Sequence, residues 1–517
     1  MKFNFIKGVV SFAALSLMVS LGAVGCGKDD DSSKTSEVTV SSSSETSTDE
    51  GTSSSATANT DTDDDADDID DADDGDDDGD DGDDADDIDD TDDDDVHPIN
   101  VKLEQHSLYN YSEKYDNELI DARFEEIFLD EEDMPELTAS LEEFSKEGSA
   151  EARKLYKDGL KNAKENIKIL DEDYYLASQL DISINMVRTD TEVLSFVSDV
   201  YEYWGGAHGG NLIKGHNFDS QTGEELKLTD IISDVDALPE IVENRLDDER
   251  ENIDYLVDIK QYLKKYFKPK NLDMVEWVLT SEGVEFIFNQ YEIATFADGV
   301  ITVDISYDEE PDIFTDRYNN APDDYAMDLD EGFSVKLDVD DDDDIDTIQA
   351  YTTKDVDDIM INKIHFNING KEITKKISGY SANMQLIHKD DKTFLYIVMT
   401  GDNDYEMLYI YRVTDNNIQQ VLKDGMYGFR TDYNTGDERP TDYLKDEYSS
   451  SFYPITDPDE FYLDGRFNIL STSGGYARFA MGSNGKPELL DEYYTLTSFR
   501  DREPFITVKK DIECKEA

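Results

Sequence analysis

Residues 61–95 are nearly pure aspartate, interrupted only by Ala, Gly, Ile and Thr. Such a segment repels itself and has almost no apolar surface to bury, so it cannot form a packed core. The preceding residues, 28–60, are rich in Ser and Thr and share this property. We therefore predict a disordered acidic N-terminal tether over residues 26–97 and folded domains only in residues 98–517.

The folded part is acidic as well. The 517 residues include 125 acidic and 46 basic ones, a formal net charge of −79. Residues 28–97 hold 32 Asp and Glu with two Lys, and residues 1–27 add two Lys, which leaves −51 for residues 98–517. This charge excludes nucleic-acid binding through a basic footprint and argues against charge-driven binding to an anionic membrane. It favours basic protein partners.

The first 25 residues have the layout of a secretory signal peptide. Lys2 and Lys7 precede an apolar stretch, 8–24, that ends in small residues. Cys26 then follows Ala-Val-Gly, which resembles the lipobox of bacterial lipoproteins, although those usually have Leu where this chain has Ala23. The resemblance implies a diacylated Cys26 and an exported protein anchored to the outer face of the bacterial cytoplasmic membrane. The alternative is an ordinary cleaved signal with an incidental Cys.

Neither the cysteines nor the acidic runs indicate a core that is held together by disulfides or metal ions. The two cysteines are Cys26 and Cys514, so lipidation of the first leaves no internal disulfide. Asp76, Asp78 and Asp80 alternate like the first ligands of a calcium loop, but the turn position is Asp rather than Gly. Residues 338–349 fail the same test. We therefore predict diffuse cation condensation on the tether, no defined metal site and no cofactor.

Residues 98–312 combine strand-like and helix-like periodicity. Segments 99–110, 174–188, 191–203 and 211–218 alternate like strands, and 140–170 and 234–267 have apolar residues at helical spacing. A hairpin is expected over 277–288, followed by a last strand over 300–307.

Three pieces of this region carry a family resemblance: YWGGAHGGN with NFDSQTGEELKLTDII (residues 203–232), WVLTSEGVEFIFNQYEIA (277–294) and ADGVITVDISY (297–307). Together they resemble the RsiV-like extracellular module, over roughly residues 100–310. That module forms the ectodomain of the lysozyme-sensing anti-sigma-V factor and also occurs in some peptidoglycan deacetylases. The resemblance implies an α+β fold and a binding or sensing role at the cell envelope, in one member through lysozyme capture. Because neither a transmembrane helix nor an anti-sigma segment precedes the module, anti-sigma function is not implied.

The residues around this motif are the candidate ligand-binding residues. Tyr203, Trp204 and Tyr291 lie at the ends of predicted strands and are candidate interface anchors, although most aromatic residues of the region are expected in its core. His208, with His216, offers two metal ligands if the two lie on opposed strands. The alternative, which we favour, is that His208 hydrogen-bonds within a tight Gly-rich turn.

No catalytic motif is recognisable in the sequence. The string around Ser381 lacks the second Gly of a nucleophile elbow, and no phosphate-binding loop appears. The many carboxylates always offer pairs, so no pair points to a glycosidase. We predict that the chain is not an enzyme. A cell-wall or glycan-directed hydrolase with an unlocalised site, acting through carboxylates or through His208 and His216, is the alternative.

Residues 313–346 are acidic and loop-like and are predicted to link two domains. Residues 347–517 then contain short strands separated by turns such as Asn369-Gly370 and Asn484-Gly485. This pattern predicts an antiparallel β-rich domain, either a small barrel or propeller-like. The sequence as a whole therefore predicts an α+β RsiV-like domain followed by a β-rich domain, in an envelope lipoprotein that binds a basic ligand such as lysozyme.

Overall fold

The computed structural model describes residues 96–129, 134–169, 175–249, 253–340, 342, 344–355, 359–401, 406–423, 425–430, 447–468, 472–491 and 494–496. The predicted signal peptide, nearly all of the tether, Cys26 and Cys514 lie outside these residues. Strands dominate the described chain and form several largely antiparallel sheets. Among the described residues, no helix is both long and apolar enough to cross a membrane.

The first sheet has six strands in the order β20-β1-β2-β3-β4-β5. Only β2 and β3 pair in parallel, and the other neighbours are antiparallel. The strands are β1 (Val101–Ser112), β2 (Asn117–Leu129), β3 (Ser178–Thr189), β4 (Val193–Tyr203), β5 (Gly210–Asp219) and β20 (Glu447–Phe452).

One face of the first sheet is covered by the helix α1 (Pro135–Asn166). Pro135 occupies the first turn, where its missing N–H costs nothing. The buried side of α1 repeats at helical spacing through Leu137, Leu141 and Phe144, and it packs against β2 and β3. The hydroxyl of Ser145 accepts from the Ile127 N–H at 2.8 Å and donates to the carbonyl of the same residue at 2.7 Å. The helix is therefore fixed to the sheet by a side chain that satisfies strand backbone.

The second sheet is a three-stranded meander that carries its own helices. Its strands are β6 (Glu276–Leu279), β7 (Gly283–Phe288) and β8 (Ile301–Ser306). One face packs against the short helices α2 (Leu228–Ile231), α3 (Leu238–Glu249) and α4 (Ile259–Tyr266). The other face packs on β5, where Ile213 contacts Val278 and Ile287. Gly215 permits this approach, because a Cβ there would lie 1.9 Å from the Trp277 carbonyl oxygen.

Three further sheets are stacked in the C-terminal half. The third sheet contains β10 (Ser334–Leu337), β11 (Asp346–Lys354), β12 (Ile361–Ile368) and β13 (Lys371–Gly379). The fourth contains β9 (Tyr325–Asp328), β14 (Ser381–His388), β15 (Thr393–Thr400), β16 (Glu406–Thr414), β17 (Asn417–Gln420) and β18 (Met426–Tyr427). The fifth contains β19 (Phe429–Arg430), β21 (Phe461–Asn468), β22 (Thr472–Met481), β23 (Pro487–Leu489) and β24 (Thr495–Leu496).

The sequence of β15 explains the stacking. Its run Phe-Leu-Tyr-Ile-Val-Met is apolar at every position, as expected of a strand buried on both faces. Leu395, Ile397 and Met399 pack on the third sheet, and Phe394 and Tyr396 pack towards the fifth. Within the described residues these sheets are open and end in edge strands, so the expected barrel is not formed.

Most of the expected elements are confirmed, with shifts of a few residues at their ends. The two Asn-Gly turns and the 277–288 hairpin all occur where the sequence places them. The helical segment 234–267 is two helices rather than one. The acidic segment 313–346 holds two short strands, β9 and β10, which join the fourth and third sheets.

Candidate functional site

Trp204 is a packing residue rather than a surface anchor. Its ring packs against the core between α1 and the first sheet, and it lies over Gly159 of α1. The indole N–H donates to Glu202 Oε2 at 2.8 Å.

Tyr203 is half-buried, and its hydroxyl donates to the Gly206 carbonyl at 3.2 Å, which closes the Gly-rich loop. Gly205 and Gly206 adopt φ values of 100° and 119°, so this loop needs glycine.

His208 and Tyr291 come together through a residue that the sequence did not single out. The His208 ring centroid lies 4.2 Å from that of Phe296, and the Tyr291 ring centroid lies 5.6 Å from that of Phe296. His208 and Tyr291 are exposed, and Phe296 is half-buried. We call these three residues the aromatic patch. His208 and Tyr291 are the two candidate ligand-binding residues that this patch brings together.

A rigid turn presents Tyr291. Its φ is +65°, an unusual value for an aromatic residue. Glu292 holds this turn, because its Oε2 accepts from the Asn289 N–H at 2.9 Å and its Oε1 accepts from the Tyr262 hydroxyl at 2.6 Å. Asn289 in turn satisfies both backbone groups of Ile213 on the edge strand β5, at 2.7 and 2.9 Å. The patch is therefore fixed to the first sheet.

The two histidines do not form the metal pair considered from the sequence. His216 lies within β5, about 20 Å along the strand from Gly210 at roughly 3.3 Å per residue. It is buried against Phe144 and Phe196, and burial lowers its pKa to about 3. Its Nε2 lies 3.1 Å from the Ser198 hydroxyl, but both groups are enclosed in the core, where no substrate can reach them. Asp219, at the end of β5, is also engaged elsewhere. It accepts from the Tyr318 hydroxyl at 2.6 Å and pairs with Arg317.

A cleft of about 770 Å³, including its opening to solvent, lies between the first sheet, the second sheet and the β9–β10 segment. One wall is apolar and consists of Val187, Val197, Ile213, Ile287 and Phe333. The same cleft is lined by acids and one cation: Glu282, Glu285, Asp304, Asp328, Asp330 and Lys336. Lys336 Nζ lies 3.7 Å from Asp304 Oδ2.

The acids continue behind the cleft as a layer between the first sheet and β9. We call Glu125, Asp199, Asp328 and Asp330 the acid layer. Parallel pairing of β2 with β3 ends at Ile182, so the next backbone donors of β3 need other acceptors. Glu125 Oε2 accepts from the Ile184 N–H and Asp328 Oδ2 from the Met186 N–H, both at 2.8 Å.

The other polar contacts of the layer come from amide side chains, and Glu125 Oε1 accepts one of them from Gln105 at 3.1 Å. Asp330 Oδ2 accepts from the Asn185 amide at 2.6 Å, and Asp328 Oδ1 accepts from the Gln385 amide at 3.0 Å. Within the described part of the chain, two buried acceptors here have no hydrogen-bond donor, Asp199 Oδ1 and Gln385 Oε1. Gln385 is only 5% exposed, so solvent does not reach its amide freely. The layer therefore has more acceptors than donors.

Burial raises the pKa values of all four carboxyls, and repulsion from neighbouring carboxylates adds to it for Glu125, Asp199 and Asp330. Burial is the main cause in each case, and it raises the pKa of Asp199 and Asp328 to about 6 and that of Glu125 to about 7. The pKa of Asp330 rises to about 8, through burial and then the charges of Asp199, Asp328 and Glu125. Across the cleft, burial likewise raises the pKa of Glu282 to about 7. Perturbed carboxyls in a cleft mark a candidate functional site.

One acidic group has the spacing of a metal site. Asp338, Asp340 and Asp346 bring carboxylate oxygens within 4.8 Å of one another, and this is the only such group among the described residues. It falls in the segment that fails the calcium-loop pattern. Asp346 is buried and already accepts hydrogen bonds from Asn369 and from the Val339 N–H. The carboxylates of the acid layer do not approach one another in this way.

Sequence reasoning missed the cleft entirely. Asp328 and Asp330 lie in a stretch so acidic that it was interpreted as a linker. The available signal was the alternation of Ala326-Met327-Asp328-Leu329-Asp330, in which apolar residues separate the acids. Phe296 was also missed. It is the first residue of a short 3-10 turn, Phe296–Asp298, which lies outside the predicted strands.

Comparisons with known proteins place part of the chain. Residues 229–308 match the profile of a family described as "Protein of unknown function (DUF3298)". A crystal structure of a DUF3298 family member from Bacteroides fragilis is 17% identical, with 43% of this chain and 94% of that chain covered and a TM-score of 0.31. A DUF3298 family protein from Pseudomonas aeruginosa is 14% identical, with 42% and 95% covered and a TM-score of 0.28. No curated protein matches the sequence.

Proposed function

We propose that this chain is an exported, lipid-anchored binding and sensing protein of the cell envelope. Its RsiV-like α+β module binds a basic protein, such as a lysozyme-type muramidase, through the aromatic patch. The observation that carries this proposal is the contact between His208, Phe296 and Tyr291 at one exposed site. Aromatic side chains held rigidly at a surface are the residues that most often dominate binding free energy.

The charge of residues 98–517 supplies the second part of the argument. A net charge of −51 attracts cationic proteins over long distances and raises their association rate. Such attraction is screened by salt, whereas the burial of aromatic rings is not. The proposal therefore assigns encounter to the acidic surface and the retention of the bound partner to the aromatic patch.

Binding of hen lysozyme to the purified full chain tests both parts. We expect binding at low salt that weakens at high salt, and a loss of about tenfold or more in affinity for Tyr291→Ala or Phe296→Ala. Met274→Ala is the matched control, because Met274 is a large apolar residue, 68% exposed, outside the patch. Ribonuclease A, another basic protein, reports on charge alone.

Three results would overturn parts of the proposal. Absence of lysozyme binding at low salt removes lysozyme as the partner. Equal binding of lysozyme and ribonuclease A reduces the interaction to charge. Unchanged affinity in both patch variants removes the aromatic patch from the interface. The lipid anchor is tested separately, since incorporation of labelled palmitate into the exported chain should be lost in Cys26→Ser.

The hydrolase alternative receives no support from the histidines, because His208 and His216 occupy different environments. It can be tested with the same protein. Turnover of peptidoglycan fragments or glycans that is lost in His208→Ala would favour it over the binding function.

A further inference from the structure

The cleft between the first sheet, the second sheet and β9–β10 combines two chemistries that a single ligand can match. Its wall is aliphatic and aromatic, and its floor is acidic. Five acidic residues line it against one lysine. A concave apolar site with a few convergent polar groups is the usual form of a small-ligand site.

Behind this floor, the acid layer has few hydrogen-bond donors. Glu125 and Asp328 each use one oxygen on a backbone N–H of β3, so their structural role is clear. Asp330 and Asp199 have no such role in the described contacts. Asp330 accepts one amide hydrogen bond, and the buried Asp199 Oδ1 accepts none. The buried Gln385 Oε1, on the amide that binds Asp328, is also without a donor. Of these residues, Asp328 and Asp330 line the cleft, and a ligand that brings several N–H donors and a positive charge would pair with their carboxylates.

We propose that the cleft binds an organic cation, an alkyl chain that ends in a primary ammonium or guanidinium group. The charged end lies against Asp328 and Asp330, which line the cleft, and the alkyl chain lies along Val187, Val197 and Phe333. This binding does not depend on the proposed function, because the aromatic patch lies outside the cleft.

The spacing of the carboxylates favours an organic cation over a metal ion. A bound calcium ion needs oxygen ligands at about 2.3–2.6 Å, so its carboxylates must lie close together. Among the described residues, only Asp338, Asp340 and Asp346 meet that condition, and none of them lines the cleft. A compact metal ion therefore fits the acid layer poorly, whereas an ammonium can bridge acceptors that lie further apart. Lys336 already places this chemistry in the cleft, with its ammonium near Asp304.

The titratable and amide groups of the cleft and of the acid layer behind it come from several elements. They are Glu125 from β2, Asp181 and Asn185 from β3, Asp199 from β4, Asp328 and Asp330 from β9 and the residues after it, Gln385 from β14, and Glu282, Glu285, Asp304 and Lys336 across the cleft. Burial holds part of this set protonated near neutral pH. Cation binding should therefore release protons and strengthen as pH rises.

Titration calorimetry of the purified full chain with n-pentylamine tests the proposal, with 1-pentanol as the neutral ligand of the same length. We expect the amine to bind at least about tenfold more tightly than the alcohol and to bind more tightly at pH 8.5 than at pH 6. n-Butylguanidine tests whether a guanidinium group binds as the ammonium does. A blocked Gly-Lys-Gly peptide separates two sources of the same chemistry, a free amine and a side chain of a polypeptide. Binding of the amine without the peptide assigns a free metabolite, and binding of both assigns an accessible side chain.

Asp330→Asn should weaken amine binding about tenfold or more without loss of folding, since the protonated acid and the amide are similar in shape. Asp316→Asn, an exposed acid outside the cleft, is the matched control. Val197→Phe fills the apolar wall and should also block the amine. Equal binding of amine and alcohol, unchanged binding in both cleft variants, or Asp330-dependent binding of calcium chloride in place of the amine would overturn the proposal. None of these results bears on lysozyme binding at the aromatic patch.

Discussion

The indole of Trp204 lies directly on Gly159 of α1, where an added Cβ would be 2.1 Å from the ring carbon Cζ3. Trp204 follows β4, so this contact ties the end of that strand to the helix that covers the sheet. The glycine is therefore in the helix for packing, although glycine is unfavourable there by its own propensity.

Gly159→Ala should destabilise the protein by about 1–3 kcal/mol, because the methyl group must displace the indole from a packed site. The intrinsic preference of helices for alanine acts in the opposite direction by up to about 1 kcal/mol. Asn162→Ala, on the exposed face of the same helix, is the control and should be neutral or slightly stabilising. Urea unfolding measures both variants, and a more stable Gly159→Ala protein would show that the ring moves aside.

Arg188 should be the most costly single charge to remove. It is 2% exposed, and its Nε donates to Asp190 at 2.6 Å while Nη1 donates to the Tyr318 carbonyl at 2.8 Å. Arg188→Met leaves the buried Asp190 carboxylate without its counter-ion, so we expect a loss of about 3–5 kcal/mol in unfolding free energy. Arg245→Met removes the more exposed pair with Glu309 and should cost less than about 1 kcal/mol. Similar losses in the two variants would contradict this assignment.

The acid layer should make the protein less stable as pH rises. The pKa of Asp330 is about 8 in the folded state and near 3.8 in the unfolded chain, so the folded state binds more protons between these values. Folding stability should therefore fall between about pH 4 and pH 8. Asp330→Asn should flatten this slope and stabilise the protein at pH 8 by on the order of 2 kcal/mol. Unfolding free energies at pH 5 and pH 8 measure the effect, and parallel slopes in the two proteins would refute it.

His216 should limit stability at the acidic end. Burial, followed by the charge of Lys214, lowers its pKa to about 3 from 6.5. The unfolded chain then binds the proton first, so this group reduces stability as pH falls from about 6.5 towards 3. His216→Gln should remove that contribution, and His208→Gln, at the exposed histidine, should not. The pH dependence of urea midpoints distinguishes the two, and an unchanged acid limb in His216→Gln would rule out the assigned role.

Local patterns were enough to find most elements. The Asn369-Gly370 turn has positive φ at both residues, the conformation that a two-residue hairpin requires, and it joins β12 to β13. The apolar spacing of Leu141 and Phe144 likewise places one face of α1 on the sheet. In both cases the residues that determine the structure are neighbours in the chain.

The parts that could not be predicted depend on pairing between distant segments. The strand β2 pairs in parallel with β3, and β9 pairs with β14, neither of which leaves a local signal. Asp328 and Asp330 line a cleft only because the first sheet, the second sheet and the β9–β10 segment meet there. The packing of the Trp204 indole against Gly159 of α1 likewise depends on a contact between segments far apart in the chain. Charge density alone indicated a linker, and the burial of these acids could not be inferred from it.

The pairing of β20 with β1 has a consequence for synthesis. The strand Glu447–Phe452 pairs with β1 and completes the first sheet. β1 belongs to the part of the folded region that is synthesised first. Until those late residues are made, β1 is an open edge able to pair with the strand of another chain. Truncation anywhere before Glu447 should therefore yield a fragment prone to self-association, and expression of the N-terminal half alone requires a cap for that edge.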